Sequence, residues 1–205
     1  MMVDVRIDRD ASSPLRGRPR SELARAAVLH AADDLLVEVG YEALTMKGIA
    51  ERAGVGRQTV YRWWTSKAEI LFEACVLDAR HELATTPGAP ADTLSDYLER
   101  LLAFLNDSDA GATYLALLGA SRVDTAVADM LSATDPLRDS TRVLIETLGA
   151  AIDAPDLELA IAQVSGPLVF QALTVPGPIP RTFVRRHLDA LLTGFGVSTR
   201  PAHAI

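Results

Sequence analysis

Gly54-Val55-Gly56 stands between two short stretches of helical spacing and leaves the chain little freedom at that point. Glycine tolerates the left-handed backbone that ends one helix and starts the next at a steep angle. The stretch before it follows Thr45 and sets Ile49, Ala50 and Ala53 on one face; the stretch after it covers residues 57–64. Two short helices crossed at a fixed angle make a helix-turn-helix, whose second helix can lay polar side chains along a DNA major groove. Ile49, Ala50, Ala53, Val55 and Val60 supply small apolar contacts between the two, while Arg57, Gln58, Thr59, Tyr61 and Arg62 point polar groups elsewhere.

Helical spacing recurs along the rest of the chain and no stretch alternates like a strand for long, so the expected fold class is all-α. Ser21 is the expected N-cap of a first helix carrying Ala24, Val28, Ala31, Leu35 and Val39, with Gly40 as its stop. Ser66-Lys67-Ala68-Glu69 reads as a capping box opening a fourth helix that runs to about Leu83. The Pro-Gly-rich residues 86–90 break it, and Leu94, Tyr97, Leu98, Leu101 and Leu105 mark the next amphipathic helix. Further helices are expected over 110–120, 123–131, 137–152, 156–174 and 181–195, the last two separated by three prolines in 175–180. The resulting division is a flexible basic arm (1–20), a three-helix helix-turn-helix domain (21–67), a larger helical domain (68–197) and a flexible tail (198–205).

A net charge of −7 argues against nucleic acid until its distribution is considered. Residues 1–67 carry 11 basic against 9 acidic residues, whereas residues 68–205 carry 9 against 18. Positive charge thus gathers at the end that holds the helix-turn-helix. No signal-like segment opens the chain and no uncharged apolar run reaches about 18 residues, so a cytoplasmic location with no membrane partner is expected. The lone cysteine, Cys75, falls in an apolar helical pattern and reads as core.

The run from Thr45 through Trp64, followed by Ser66-Lys67 and Glu69-Ile70-Leu71, resembles the DNA-binding domain of TetR-type regulators over about residues 20–75. The resemblance implies that Thr45, Tyr61 and Lys67 contact phosphate and that Arg57, Gln58 and Thr59 face the bases. Two departures stand out. Gly56 replaces the usual serine or threonine cap of the recognition helix, and Trp63 replaces a frequent histidine, so a phosphate bond there would come from an indole N–H. Trp64, closing the same helix, reads as core.

The chemistry of these side chains agrees with the assignment. Arginine can donate two bonds to guanine, glutamine can pair with adenine, and a threonine methyl can meet the thymine methyl. Ahead of the first helix, Arg16-Gly17-Arg18-Pro19-Arg20 suits either a minor-groove arm through Arg16 and Arg18 or a basic tail with general phosphate attraction.

Enzyme signatures fail on spacing. The four histidines lie too far apart for a local zinc pair, Gly119-Ala120-Ser121-Arg122-Val123 lacks the second glycine of a nucleophile elbow, and no phosphate-binding glycine loop occurs. Asp33-Asp34 are consecutive on a helix and read as a solvated face. No enzyme activity, cofactor or metal is therefore expected. The resemblance implies instead a C-terminal domain that binds an unknown small-molecule ligand and dimerises through its last two helices. Phe72, Phe104, Tyr114, Leu118, Phe170 and Gln171 combine aromatic bulk with polar groups as a ligand cavity would. Leu159, Val164, Gly166, Leu168, Leu173, Leu188, Leu191 and Leu192 form the expected homodimer face. The expected function is that of a sequence-specific transcriptional regulator, a ligand-controlled repressor on a double-stranded DNA operator. The rival is a structural DNA binder that reads no ligand.

Overall fold

The computed structural model describes residues 18–154 and 156–197, with backbone alone for residues 18–20. Ten α-helices and no strand occur among the described residues, in agreement with the all-α expectation. They are α1 (Arg18–Ala43), α2 (Met46–Arg52), α3 (Arg57–Trp63), α4 (Lys67–Glu82), α5 (Pro90–Asp107), α6 (Asp109–Ala120), α7 (Thr125–Ala133), α8 (Pro136–Leu148), α9 (Leu157–Thr174) and α10 (Arg181–Gly194). A short 3₁₀ turn, Gly149–Ala151, follows α8.

Helix α1 begins at Arg18, so Ser21 lies inside its first turn and is not the N-cap the sequence suggests. Pro19 is compatible with that start, because the first-turn N–H groups have no intrahelical partner to lose. Gly40, at φ 77°, bends α1 where the sequence places its end. Ser66 does cap α4: its hydroxyl accepts from the Glu69 amide at 3.2 Å. The Glu69 carboxylate reaches one residue further back than a standard capping box and accepts from the Thr65 amide at 2.6 Å.

The C-terminal core surrounds α5, whose Leu94, Tyr97, Leu98, Leu101 and Phe104 are all buried. α6 crosses α5 so closely that a Cβ on Gly111 would lie 1.7 Å from the Phe104 carbonyl oxygen. No side chain fits there without moving backbone. Cys75 is buried as expected, and burial pushes its thiol pKa upward.

Asp33 corrects the reading of Asp33-Asp34 as one solvated face. Asp34 is exposed, but Asp33 is only 8% exposed and accepts from the Thr113 hydroxyl of α6 at 3.2 Å. Burial pushes its carboxyl up to about 6; the Thr113 hydrogen bond opposes this, Asp78 and Asp109 add to it, and His30 opposes it.

α9 does not overturn the expectation that no uncharged apolar run reaches about 18 residues. It contains Glu158 and Gln163, yet by length and composition it is apolar enough to cross a bilayer, and only 28% of it is buried within the chain. Its uncovered side carries a stripe at helical spacing, with Leu159, Ala162, Phe170 and Leu173 exposed and Gly166 half-buried among them.

Candidate nucleic-acid interface

Thr45 caps α2, accepting from the Gly48 amide at 3.1 Å through its hydroxyl oxygen. The end of α2 is closed by Gly54 at φ 64°: the Gly54 amide donates to the Glu51 carbonyl at 3.3 Å and the Val55 amide to the Ala50 carbonyl at 3.0 Å. This Schellman closure is what the glycine supplies, and it fixes the angle at which α3 departs. Ile49, Ala50 and Val60 are buried beneath α2 and α3. Gly56 is the N-cap residue of α3 and gives it no side-chain cap, as its identity requires.

Burial sorts the residues of α3 cleanly. Arg57, Gln58, Tyr61 and Arg62 are exposed on one side, Tyr61 to 55%, although tyrosine carries a large apolar ring. Thr59 is half-buried on the flank, so its position among the outward-facing readers is less prominent than the sequence suggests. Trp64 is buried, as expected. Trp63 is half-buried against the core, meets Trp64 edge-on at 5.5 Å between ring centroids, and lies beneath the Arg62 guanidinium at 5.8 Å. Its indole N–H has no hydrogen-bond partner among the described residues.

Ion pairs tie the module together. Arg52 of α2 bonds to Glu38 of α1 at 2.9 Å. Arg25 of α1 bonds to Glu73 of α4 and lies 5.2 Å over the Trp64 ring, whose N–H donates to the same carboxylate at 3.0 Å. Arg57 pairs with Glu51 at 2.6 Å, with both side chains more than half exposed. Such a pair contributes roughly 0–1 kcal/mol, so the guanidinium can leave it for a base edge.

Lys67, expected to contact phosphate, has acceptors within the chain itself. Its ammonium donates to the backbone carbonyls of Tyr41 at 2.5 Å, Leu44 at 3.0 Å and Glu42 at 3.4 Å, and sits 4.3 Å from the Tyr41 ring centroid. A phosphate contact would compete with these carbonyls, of which Glu42 holds the longest and most exposed bond. It clamps the start of α4 to the α1–α2 connection, a role invisible in sequence because its acceptors are main-chain atoms. Arg16 lies outside the described residues, as does the Arg18 side chain; the backbone of residues 18–20 belongs to α1, so an extended arm cannot reach to residue 20.

The six expected ligand contacts do not line one cavity. Phe104 is core, in contact with Tyr114 at 6.3 Å between ring centroids. Phe170 is 68% exposed on the α9 stripe, and Gln171 is half-buried beside it. Phe72 faces a groove along α4 with Trp64, Val76 and Arg80. Tyr114 and Leu118 do share a cavity of about 210 Å³ between α6, α8 and α9. A separate, mainly apolar cleft of about 410 Å³ lies between α4 and α8, around Val76, Leu83 and Val143.

Half of the expected dimer face is also displaced. Val164, Leu168, Leu191 and Leu192 are buried in the chain's own core, where they hold α9 and α10 to their neighbours, and Leu188 is half-buried. Leu159 and Leu173 are 47% and 51% exposed and share the stripe with Gly166. Ala162 and Phe170 complete that stripe and were missed; the spacing 159, 162, 166, 170, 173 carries the signal.

Comparison with known proteins follows the same outline. Residues 28–74 match the model for bacterial regulatory proteins of the tetR family. An uncharacterized HTH-type transcriptional regulator, YdeS of Bacillus subtilis, is 31% identical over 186 residues, covering 88% of this chain and 92% of its own. The DNA-binding transcriptional repressor TetR of Mycobacteroides abscessus is 28% identical over 196 residues, covering 84% and 94%. Among solved structures, the flavonoid-responsive regulator FrrA superposes with a TM-score of 0.59 at 21% identity, covering 88% of this chain and 98% of its own, a likeness of fold.

Proposed function

Because the chain belongs to the TetR family of DNA-binding transcriptional regulators, which are not enzymes, we propose that it acts as a homodimeric repressor released from its operator by a small molecule. The observation that carries the DNA half of this reading is the exposed side of α3, with Arg57, Gln58, Tyr61 and Arg62 facing outward from a module braced by Arg52 and Lys67. Arg57 and Gln58 read base edges, with Thr59 at the flank; Thr45, Tyr61, Arg62 and the Trp63 N–H meet phosphate. The expected domain limits of 21–67 for DNA reading and 68–197 for ligand and partner extend at the start to residue 18, with Arg16 ahead of α1 and Arg18 in its first turn adding electrostatic attraction.

The dimer uses the α9 stripe. A helix apolar enough for a membrane yet largely uncovered within its own chain needs a partner, and a second copy supplies the same self-complementary face by two-fold symmetry. Two recognition helices then meet half-sites roughly 34 Å apart. The repressor role is supported by the likeness to the M. abscessus repressor, and ligand response by the clefts of the C-terminal helices together with the fold shared with a flavonoid-responsive regulator. A soluble cytoplasmic protein is the corresponding setting.

Selection of bound sites from random duplex DNA tests this reading. A pseudo-palindrome is expected, and Arg57→Ala is expected to lose about 1–3 kcal/mol on it and relax preference at one base pair per half-site. Absence of any enriched sequence would overturn sequence-specific reading; an unchanged base profile would remove Arg57 from it.

A further inference from the structure

We propose that the cleft where α6, α7, α8 and α9 meet is the effector site, and that its ligand is an organic anion: a carboxylate carried on a small flat apolar body. This rests on the reading that the C-terminal helices respond to a small molecule, and it adds which cleft and which chemistry.

The cleft consists of two adjoining volumes, both open to solvent, an outer one of about 640 Å³ beside α7 and an inner one of about 210 Å³ beside α9, which share Leu118, Asp135 and Arg138. Arg122, Arg138 and Arg142 face the outer volume. From residue 68 onward acidic residues outnumber basic ones 18 to 9, so three of nine cations gathered at one cleft is a local reversal of the domain's charge. Arg122 has no acidic partner among the described residues. Leu118, Ile161 and Val169 wall the inner volume with apolar surface, and Ala162 and Gly166 of the α9 stripe border it, so this space of about 210 Å³ can seat an aromatic ring beside the face proposed to join the two copies.

The carboxylates nearby do not make the site cationophilic. Asp135 is committed: it caps α8 through the amides of Leu137 at 3.0 Å and Arg138 at 3.1 Å, and accepts from the Tyr114 hydroxyl at 3.1 Å. Burial, followed by the charge of Asp135, pushes the Tyr114 phenol upward, so it stays a donor. Glu158 is the exchangeable one. It pairs with Arg138 and stands 3.8 Å from Arg142, and it is about half exposed. An exposed pair of this kind is weak, whereas a ligand carboxylate anchored by its own apolar body can take two parallel bonds from an arginine. The ligand carboxylate thus replaces Glu158.

That exchange has a direct structural outlet. Glu158 lies in the first turn of α9, next to Leu159, where the exposed stripe begins. Releasing it from α8 frees the start of the helix proposed to join the two copies, and through them to set the spacing of the recognition helices.

Calorimetric titration of the full chain with 4-ethylbenzoate, its uncharged isostere 4-ethylbenzamide and the cationic 4-ethylbenzylamine tests the proposal. The benzoate is expected to bind roughly tenfold or more tightly than the amide, and the amine least. Arg122→Ala and Arg142→Ala should each erase most of that preference by weakening benzoate binding far more than benzamide binding. Glu158→Gln should strengthen benzoate binding, because the competing carboxylate is gone. A merely structural Glu158–Arg138 pair predicts the opposite sign. Equal binding of the three probes, or weaker benzoate binding by Glu158→Gln, would overturn the anion site. Benzoate binding that responds to these variants but leaves operator affinity unchanged would uphold the site and overturn ligand-controlled release.

Discussion

The helix-turn-helix module and the C-terminal helices differ in the balance of contacts that holds them together. In the first, charged groups bridge the helices: Arg52 to Glu38, Arg25 to Glu73 and Trp64, and Lys67 to three carbonyls of the α1–α2 connection. In the second, apolar side chains around α5 and a backbone-to-backbone approach at Gly111 make the bulk of the joints, with polar bonds such as Tyr97 to Thr141, Asn106 to the Ile179 backbone and Arg138 to Glu158 beside them. Directional bonds fix angles, which a reader of a rigid duplex requires. Apolar packing fixes volume, and leaves clefts wherever helices cannot fill the space between them. The contrast teaches that stiffness and adaptability can be divided within one all-helical chain by the kind of contact used at its joints.

The severest test of this contrast is Gly111→Ala. Its methyl would require the Phe104 carbonyl to move, so overpacking is expected to cost about 3 kcal/mol or more in urea unfolding. An unchanged midpoint would mean that the α5–α6 joint yields as readily as a side chain. Lys67→Met probes the opposite kind of joint. Loss of a charged donor to three carbonyls is expected to cost about 2 kcal/mol of stability. If the stability holds and the salt slope of DNA binding instead falls by about 1, Lys67 is a phosphate contact and the polar bracing is thinner than described.

Asp33 sits where the two kinds of joint meet, bonded across α1 and α6. Its folded pKa of about 6 exceeds the ordinary 3.8, so the folded state binds the proton more tightly. Stability therefore falls as pH rises from about 4 through about 6, and the penalty is fully present above that range. Asp33→Asn keeps an acceptor for Thr113 without the charge. It is expected to be about 1–2 kcal/mol more stable than the parent at pH 7.5 and to lose the acid dependence, as thermal melts across pH would record. The smallest effect is expected at Gly56. A Cβ there meets only the Thr59 hydroxyl, at 3.9 Å, so Gly56→Ser can add the missing cap and a few tenths of a kcal/mol by chemical denaturation.

The same division explains what could be read in advance. The helix-turn-helix is a local object: Thr45, Gly54, Gly56 and Ser66 act on residues one to five positions away, so their spacing carries their meaning. The order of ten helices followed from periodicity for the same reason. Lys67 escaped because its acceptors are main-chain oxygens 23 to 26 residues earlier, which no side-chain pattern marks. Asp33 escaped because its partner, Thr113, is 80 residues away. In α9 and α10 apolar residues lie on both sides, and leucine has the same chemistry in a core as in an interface. Val164 and Leu168 therefore looked like partners for another chain, although both are buried within this one, and Phe170, read as a ligand contact, stands exposed.

Both tryptophans of the chain, Trp63 and Trp64, stand side by side at the end of α3. All indole emission consequently originates where the recognition helix meets the bracing from α1 and α4. One ring lies beneath Arg62 and half open to solvent; the other is closed in with Arg25 and Glu73. Solvent relaxation around the first and charge rearrangement around the second would shift the spectrum in distinguishable ways. The unlabelled protein thus carries an optical gauge at the root of its recognition helix, with no distant fluorophore of the same kind to dilute the signal.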